Sequence, residues 1–106
     1  MLRAIFHAKA RATIQTFSKE VRFALGSAIL DLQHGARIGM PLSRAMPVVG
    51  MGVHELRVRD RSGVYRVFYV VKSEKGIFIF HAFEKRTEKT AQHEIDIGKA
   101  RLREML

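Results

Sequence analysis

Arg57 and Arg66 flank a short turn-forming stretch, Asp60 to Gly63, between two segments rich in apolar residues. If those segments pair as an antiparallel hairpin, the four-residue connection sets Arg57 directly opposite Arg66. Two like charges opposed across a ladder repel each other and destabilise the pair. The arrangement is tolerated more easily with an anion between them, and the planar fork of a guanidinium matches the oxygens of a phosphate. Arg59 and Arg61 add cations beside this pair. A second basic run, Glu84 to Thr90, contains Lys85, Arg86 and Lys89 and stands just before a segment of helical spacing. Helix starts carry free N–H groups and partial positive charge, which favour phosphate. His93 follows, and histidine is the side chain that changes charge near neutral pH, so it suits proton transfer. Each cluster alone reads equally well as solvated surface. Both together in one small sheet point to an anion-binding face.

The other histidines carry less. His81 lies in an apolar run and reads as a hydrogen-bonded core residue, as does His54, which alternation puts on the apolar side of its strand. His7 and His34 have no companions in sequence. The five histidines are scattered and the carboxylates are interleaved with cations, so no metal site and no cofactor are expected.

With 106 residues the chain supports one core and a single domain, 1–106. Nineteen Lys and Arg against ten Asp and Glu leave a net charge of +9, which points to a polyanionic partner, nucleic acid or an acidic protein. A hydrophobic fraction of 47% makes disorder a poor account of that charge. The absence of cysteine excludes disulfide frameworks, thiolate metal sites and thiol nucleophiles. Met1 to Ala12 has no signal-peptide core, and no apolar run is long enough to cross a bilayer. A cytoplasmic protein with no membrane association is expected.

The elements that must position these residues follow from periodicity. Leu2 to Phe6 reads as a strand and Ala8 to Thr16 as a helix. Ser18 can cap a second helix whose stripe is Val21, Leu25, Ala28, Ile29 and Leu32, ending at Gly35. Ala36 to Gly52, with two prolines and three glycines, reads as a loop. His54, Leu56 and Val58 then alternate with Glu55, Arg57 and Arg59 as in a half-buried strand, and Val64 to Lys72 completes a hairpin. Ile77 to Phe83 is almost wholly apolar, as suits a central strand covered on both faces. Thr90 to Leu106 returns to helical spacing. The order is β-α-α-β-β-β-α: an α+β fold with a mainly antiparallel four-stranded sheet, an N-terminal helical hairpin on one face and a C-terminal helix.

Neither basic cluster looks like a DNA-reading device, since there is no helix-turn-helix or zinc-finger pattern. The segments "ELRVRDRSGVYRVFYV" (Glu55 to Val70) and "IFIFHAFEKRTEKTAQHEIDIGKAR" (Ile77 to Arg101) resemble the RelE/ParE toxin superfamily, and within it the HigB-like phage-derived toxins. The likeness covers nearly the whole chain. It implies a RelE-like fold and the toxin of a type II toxin–antitoxin pair, an endoribonuclease that cuts messenger RNA on the ribosome. By the same resemblance, Arg57 and Arg66 match basic hairpin positions that hold the scissile phosphate. Lys85 and Arg86 match the basic pair after the last central strand, and His93 falls near a catalytic tyrosine or histidine. Arg59, Arg61 and Lys89 are further RNA-binding candidates. Glu55 departs from the pattern, standing where RelE itself carries lysine, and Ala91 stands where many HigB-like chains have proline.

The implied reaction is metal-independent attack of a ribose 2′-hydroxyl on the adjacent phosphate, with Lys85 and His93 as proton-transfer candidates. The implied partners are a cognate helix-turn-helix antitoxin, the ribosome and messenger RNA. Two other readings stay open from sequence: a ParE-like gyrase inhibitor without nuclease activity, and a degenerate relative that only binds RNA or its antitoxin.

Overall fold

The computed structural model describes all residues, 1–106. Its elements are β1 (Ala4–Phe6), α1 (Ala8–Gln15), α2 (Lys19–Gln33), β2 (Ser43–Ala45), β3 (Val53–Asp60), β4 (Gly63–Lys72), β5 (Gly76–Lys85) and α3 (Gln92–Met105). The expected capping of α2 is observed: Ser18 Oγ accepts from the Val21 amide at 3.1 Å. The same hydroxyl donates to Asp60 Oδ2 at 2.5 Å, which ties the start of α2 to the β3–β4 turn. Gly35, with φ of +90°, supplies the left-handed residue that ends the helix.

The sheet has five strands in the order β1-β5-β4-β3-β2, one more than the sequence predicts. The extra strand, β2, lies inside the segment read as loop and pairs antiparallel with β3, Ser43 opposite Leu56 and Ala45 opposite His54. Three residues are too few to show a period of two, so this strand exists through its long-range pairing. β1 runs parallel to β5 and the remaining neighbours are antiparallel, so the sheet is mixed. Asp60 pairs with Gly63, which leaves Arg61 and Ser62 as the turn, and Arg57 sits opposite Arg66 as expected.

Two clusters fill the two faces. Leu56, Val58, Val67, Tyr69, Ile77, Ile79 and Ala82 face α1 and α2, meeting the predicted stripe of Val21, Leu25, Ala28, Ile29 and Leu32. On the other face Val53, Phe68, Val70, Phe78, Phe80 and Phe83 pack with Ile95 of α3. Gly98 lets that helix come close, because a β-carbon there would stand 2.8 Å from Phe68 Cδ2.

β5 is irregular in a way that matters for the site. His81 pairs with Phe68 and Ile79 with Tyr69, so Phe80 is an extra residue in the ladder. Such a bulge shifts which face the following residues occupy. Ile77 and Ile79 face the helical hairpin, yet beyond the bulge Ala82 does so, and Phe83 turns to the α3 side. Lys85, two residues on, therefore joins the face that carries Arg57 and Arg66 rather than the one that packs on α2.

Candidate nucleic-acid interface

α3 covers only part of its face of the sheet. The uncovered end is built from residues whose neighbours are fixed by register: Arg44 opposite Glu55, Arg57 opposite Arg66, and Lys85 opposite Val64. The Arg57 amide donates to the carbonyl of Leu42, just before β2, at 2.8 Å, so its hydrogen-bonding edge points away from β4. Arg57 and Arg66 are thus a non-hydrogen-bonded pair, the kind whose side chains approach most closely.

The two arginines are not equivalent. Arg66 is buried, 5% exposed, and Glu55 beside it is 1% exposed. Arg66 Nε lies 3.3 Å from Glu55 Oε1, an ion pair by distance, but it is not aligned to donate, while Nη1 donates to Tyr65 O at 3.2 Å. Glu55 also accepts from Thr90 Oγ1 at 3.1 Å. Arg57 is half-buried and reaches the Met40 sulfur at 3.6 Å. The Nε atoms of both Arg57 and Arg66 are buried with no hydrogen-bond partner. Both residues line one hollow of about 380 Å³, together with Pro41, Leu42, Val58 and Arg59. Unpaired buried donors are costly, and an acceptor-rich anion in the hollow would satisfy them.

The electrostatics match. Loss of solvent holds the Arg66 guanidinium below its ordinary pKa, Glu55 opposes this, and Arg57, Arg59 and Arg44 reinforce it. Lys85 is lowered as well, by desolvation first and then by Arg66, Arg57 and Arg44 against Glu55. Five cations therefore share a field with one carboxylate.

Lys85, Arg86 and His93 line a second, smaller hollow of about 190 Å³ with Glu84 and Glu94. Lys85 donates to the Glu88 carbonyl there. Arg86 is 76% exposed and pairs with Glu84 at 3.2 Å. His93 is 73% exposed, with Nε2 3.6 Å from Glu94 Oε2. Arg61, at the turn, and Lys89, in the β5–α3 connection, are exposed and line neither hollow. The structure thus gathers Arg57, Arg59 and Arg66 in one place and Lys85, Arg86 and His93 in another. Lys85 is the residue that feels both.

His81 is buried beneath α3, as its apolar neighbours predict. Its Nε2 meets Glu94 Oε1 at 2.8 Å and its Nδ1 meets Arg101 Nη1 at 3.0 Å. Arg101 can only donate, so Nδ1 accepts and Nε2 carries the proton. His7, which has no companion in sequence, has two in the fold. It caps α1 by accepting from the Lys9 amide and bonds Glu104 at 3.0 Å.

Sequence reasoning missed two residues of the basic face. The alternation puts Glu55 on the same side as Arg57, but its burial against Arg66 and Thr90 has no local mark. Arg44 was hidden because β2 looked like loop. No three His, Asp or Glu side chains converge as metal ligands would, and no helix is long and apolar enough to cross a membrane.

A mixed five-stranded sheet with a helical hairpin on one face, a C-terminal helix on the other and a cationic patch beside that helix is a RelE-type toxin fold. The chain is similar to the isolated E. coli RelE toxin, at 18% identity and a TM-score of 0.58 over 100% of both chains. It is likewise similar to an arginine double mutant of E. coli RelE in the free state, at 19% identity and a TM-score of 0.57, covering 99% of this chain and 98% of that one. The chain belongs to the phage derived protein Gp49-like family, a RelE-like toxin family, whose model matches residues 12–103. No curated protein sequence matches it.

Proposed function

We propose that this chain is the toxin of a type II toxin–antitoxin pair and an endoribonuclease that cuts messenger RNA on the ribosome, in the cytoplasm. The observation that carries the reading is the pair of buried Nε atoms on Arg57 and Arg66, neither of them hydrogen-bonded, set at opposed ladder positions on residues that line one hollow. A phosphodiester there would receive donors from both arginines. In the reaction the 2′-oxygen bonds to phosphorus and the P–O5′ bond breaks, leaving a 2′,3′-cyclic phosphate and a 5′-hydroxyl. Charge grows on the non-bridging oxygens, where preorganised donors are worth about 2.7–4 kcal/mol each. These cations supply the charge that a metal ion provides in other nucleases. His93 takes the 2′-hydroxyl proton. Lys85, whose proton affinity is lowered by its surroundings, gives one to the departing 5′-oxygen. Arg86 assists from the second hollow, which it lines with Lys85 and His93. Binding to an acidic stretch of a helix-turn-helix antitoxin would use the same excess of positive charge.

The test is a translating extract with 5′ ends of the messenger mapped after adding the protein. Wild type is expected to leave new 5′-hydroxyl ends. Arg57→Ala, chosen because Arg57 holds no buried partner charge, is expected to cut about 10²–10³-fold more slowly. Intact messenger under confirmed translation, or an Arg57→Ala variant as fast as wild type, would overturn the reading.

A further inference from the structure

A phosphodiester strand carries one negative charge per nucleotide. The basic face sets Arg44, Arg57, Arg59, Arg66 and Lys85 against Glu55 alone, far more charge than a single scissile phosphate neutralises. Arg44 is exposed, and no ion pair or hydrogen bond engages its side chain. The carboxylate directly across the ladder from it, Glu55, is taken by Arg66 and Thr90. Arg44 and Arg57 are diagonal neighbours across β2 and β3, about 7–8 Å apart by sheet geometry. Arg59 lies two residues beyond Arg57 on the same side of β3, a rise of about 6.4–6.8 Å. The three form an oblique line with steps comparable to the spacing of successive phosphates in an extended single strand. Pro41 and Leu42 line the hollow that Arg57 and Arg59 share.

We infer that Arg44 is a further RNA-binding residue, and that Arg44, Arg57 and Arg59 form a track holding consecutive phosphates of a single RNA strand. Arg44 holds the phosphate on one side of the Arg57–Arg66 clamp and Arg59 the one on the other. The inference rests on the reading of this face as an RNA site and adds its footprint. A single-phosphate site would need neither Arg44 nor Arg59, and an acidic protein segment would have no fixed phosphate repeat to match.

The experiment measures binding of a 2′-O-methyl single-stranded RNA, which lacks the attacking hydroxyl, as a function of salt concentration. The slope of log K against log salt changes by about 0.7 for each phosphate contact in a single strand. Arg44→Ala and Arg59→Ala are each expected to flatten it by about 0.7. Lys75→Ala, at the other end of β5 from Lys85, is expected to leave the slope unchanged. An Arg44→Ala slope equal to wild type, with wild-type binding and cleavage intact, sinks the track alone. Equal flattening by Lys75→Ala reduces it to a general field and also overturns it. No binding by wild type removes the track and the RNA reading together.

Discussion

Replacing Arg66 with alanine removes the cation in ion-pair contact with Glu55, a side chain 1% exposed. What remains for that carboxylate is one hydrogen bond from Thr90, although a carboxylate offers about four acceptor positions. Breaking a buried pair from one side typically costs about 3–5 kcal/mol, because the partner charge stays behind without compensation. Small domains hold about 5–15 kcal/mol in all, so Arg66→Ala is expected to lie near the edge of folding. Glu55→Gln added to it removes the stranded charge and is expected to recover most of the loss. Urea unfolding followed by far-UV circular dichroism reads this as a lower midpoint at unchanged m-value, restored in the double variant. An Arg66→Ala variant within 1 kcal/mol of wild type would refute the assignment of Glu55 as a buried partner. The same reasoning explains why Arg57, not Arg66, is the position at which to test catalysis. Loss of activity at Arg66 would confuse the phosphate clamp with the fold.

Two further outcomes follow from the packing of α3. Burial, aided by Arg101 and opposed by Glu94, holds His81 below its ordinary pKa of 6.5. As pH falls below that value the unfolded chain takes up a proton that the fold refuses, so stability is lost on acidification between 6.5 and the lower folded value. His81→Gln, which keeps a donor toward Glu94, is expected to flatten the stability profile as pH falls below 6.5. A variant profile as steep as wild type would assign the slope elsewhere. Gly98→Ala gains about 0.8–1.0 kcal/mol of helix propensity but forces a β-carbon to 2.8 Å from Phe68, which is fully buried and cannot retreat. Overpacking of that kind costs about 1–3 kcal/mol, so a net loss of stability is expected in the same urea assay. A more stable Gly98→Ala variant would mean that α3 rides more loosely on the sheet.

Much of this protein was legible residue by residue because its physics is local. The Ser18 cap, the stripe of α2, the helix stop at Gly35 and the alternation of β3 each rest on neighbours within a turn or a strand. The register that opposes Arg57 and Arg66 follows from the length of one turn. His81 is identifiable as core from the apolar residues on both sides. The RelE-like resemblance was carried by these same segments, and the family and fold agree with it. The order of β-α-α-β-β-β-α missed only β2, whose three residues are held by hydrogen bonds to a strand eight or more positions away.

The sequence by itself determined that a basic hairpin exists and that two arginines face each other across it, because a two-residue period and a short turn leave no other pairing. Only the tertiary structure decided what those arginines do. It buried Arg66 against Glu55 and left Arg57 half-buried, since β4 lies inside the sheet between β3 and β5, whereas beyond β3 only the three-residue β2 follows. It brought Arg44 to the face through a strand with no local signature. Above all, the extra residue at Phe80 turned Lys85 to the arginine side. A bulge changes the parity of everything after it, and nothing in the run Ile77 to Lys85 marks where that change falls.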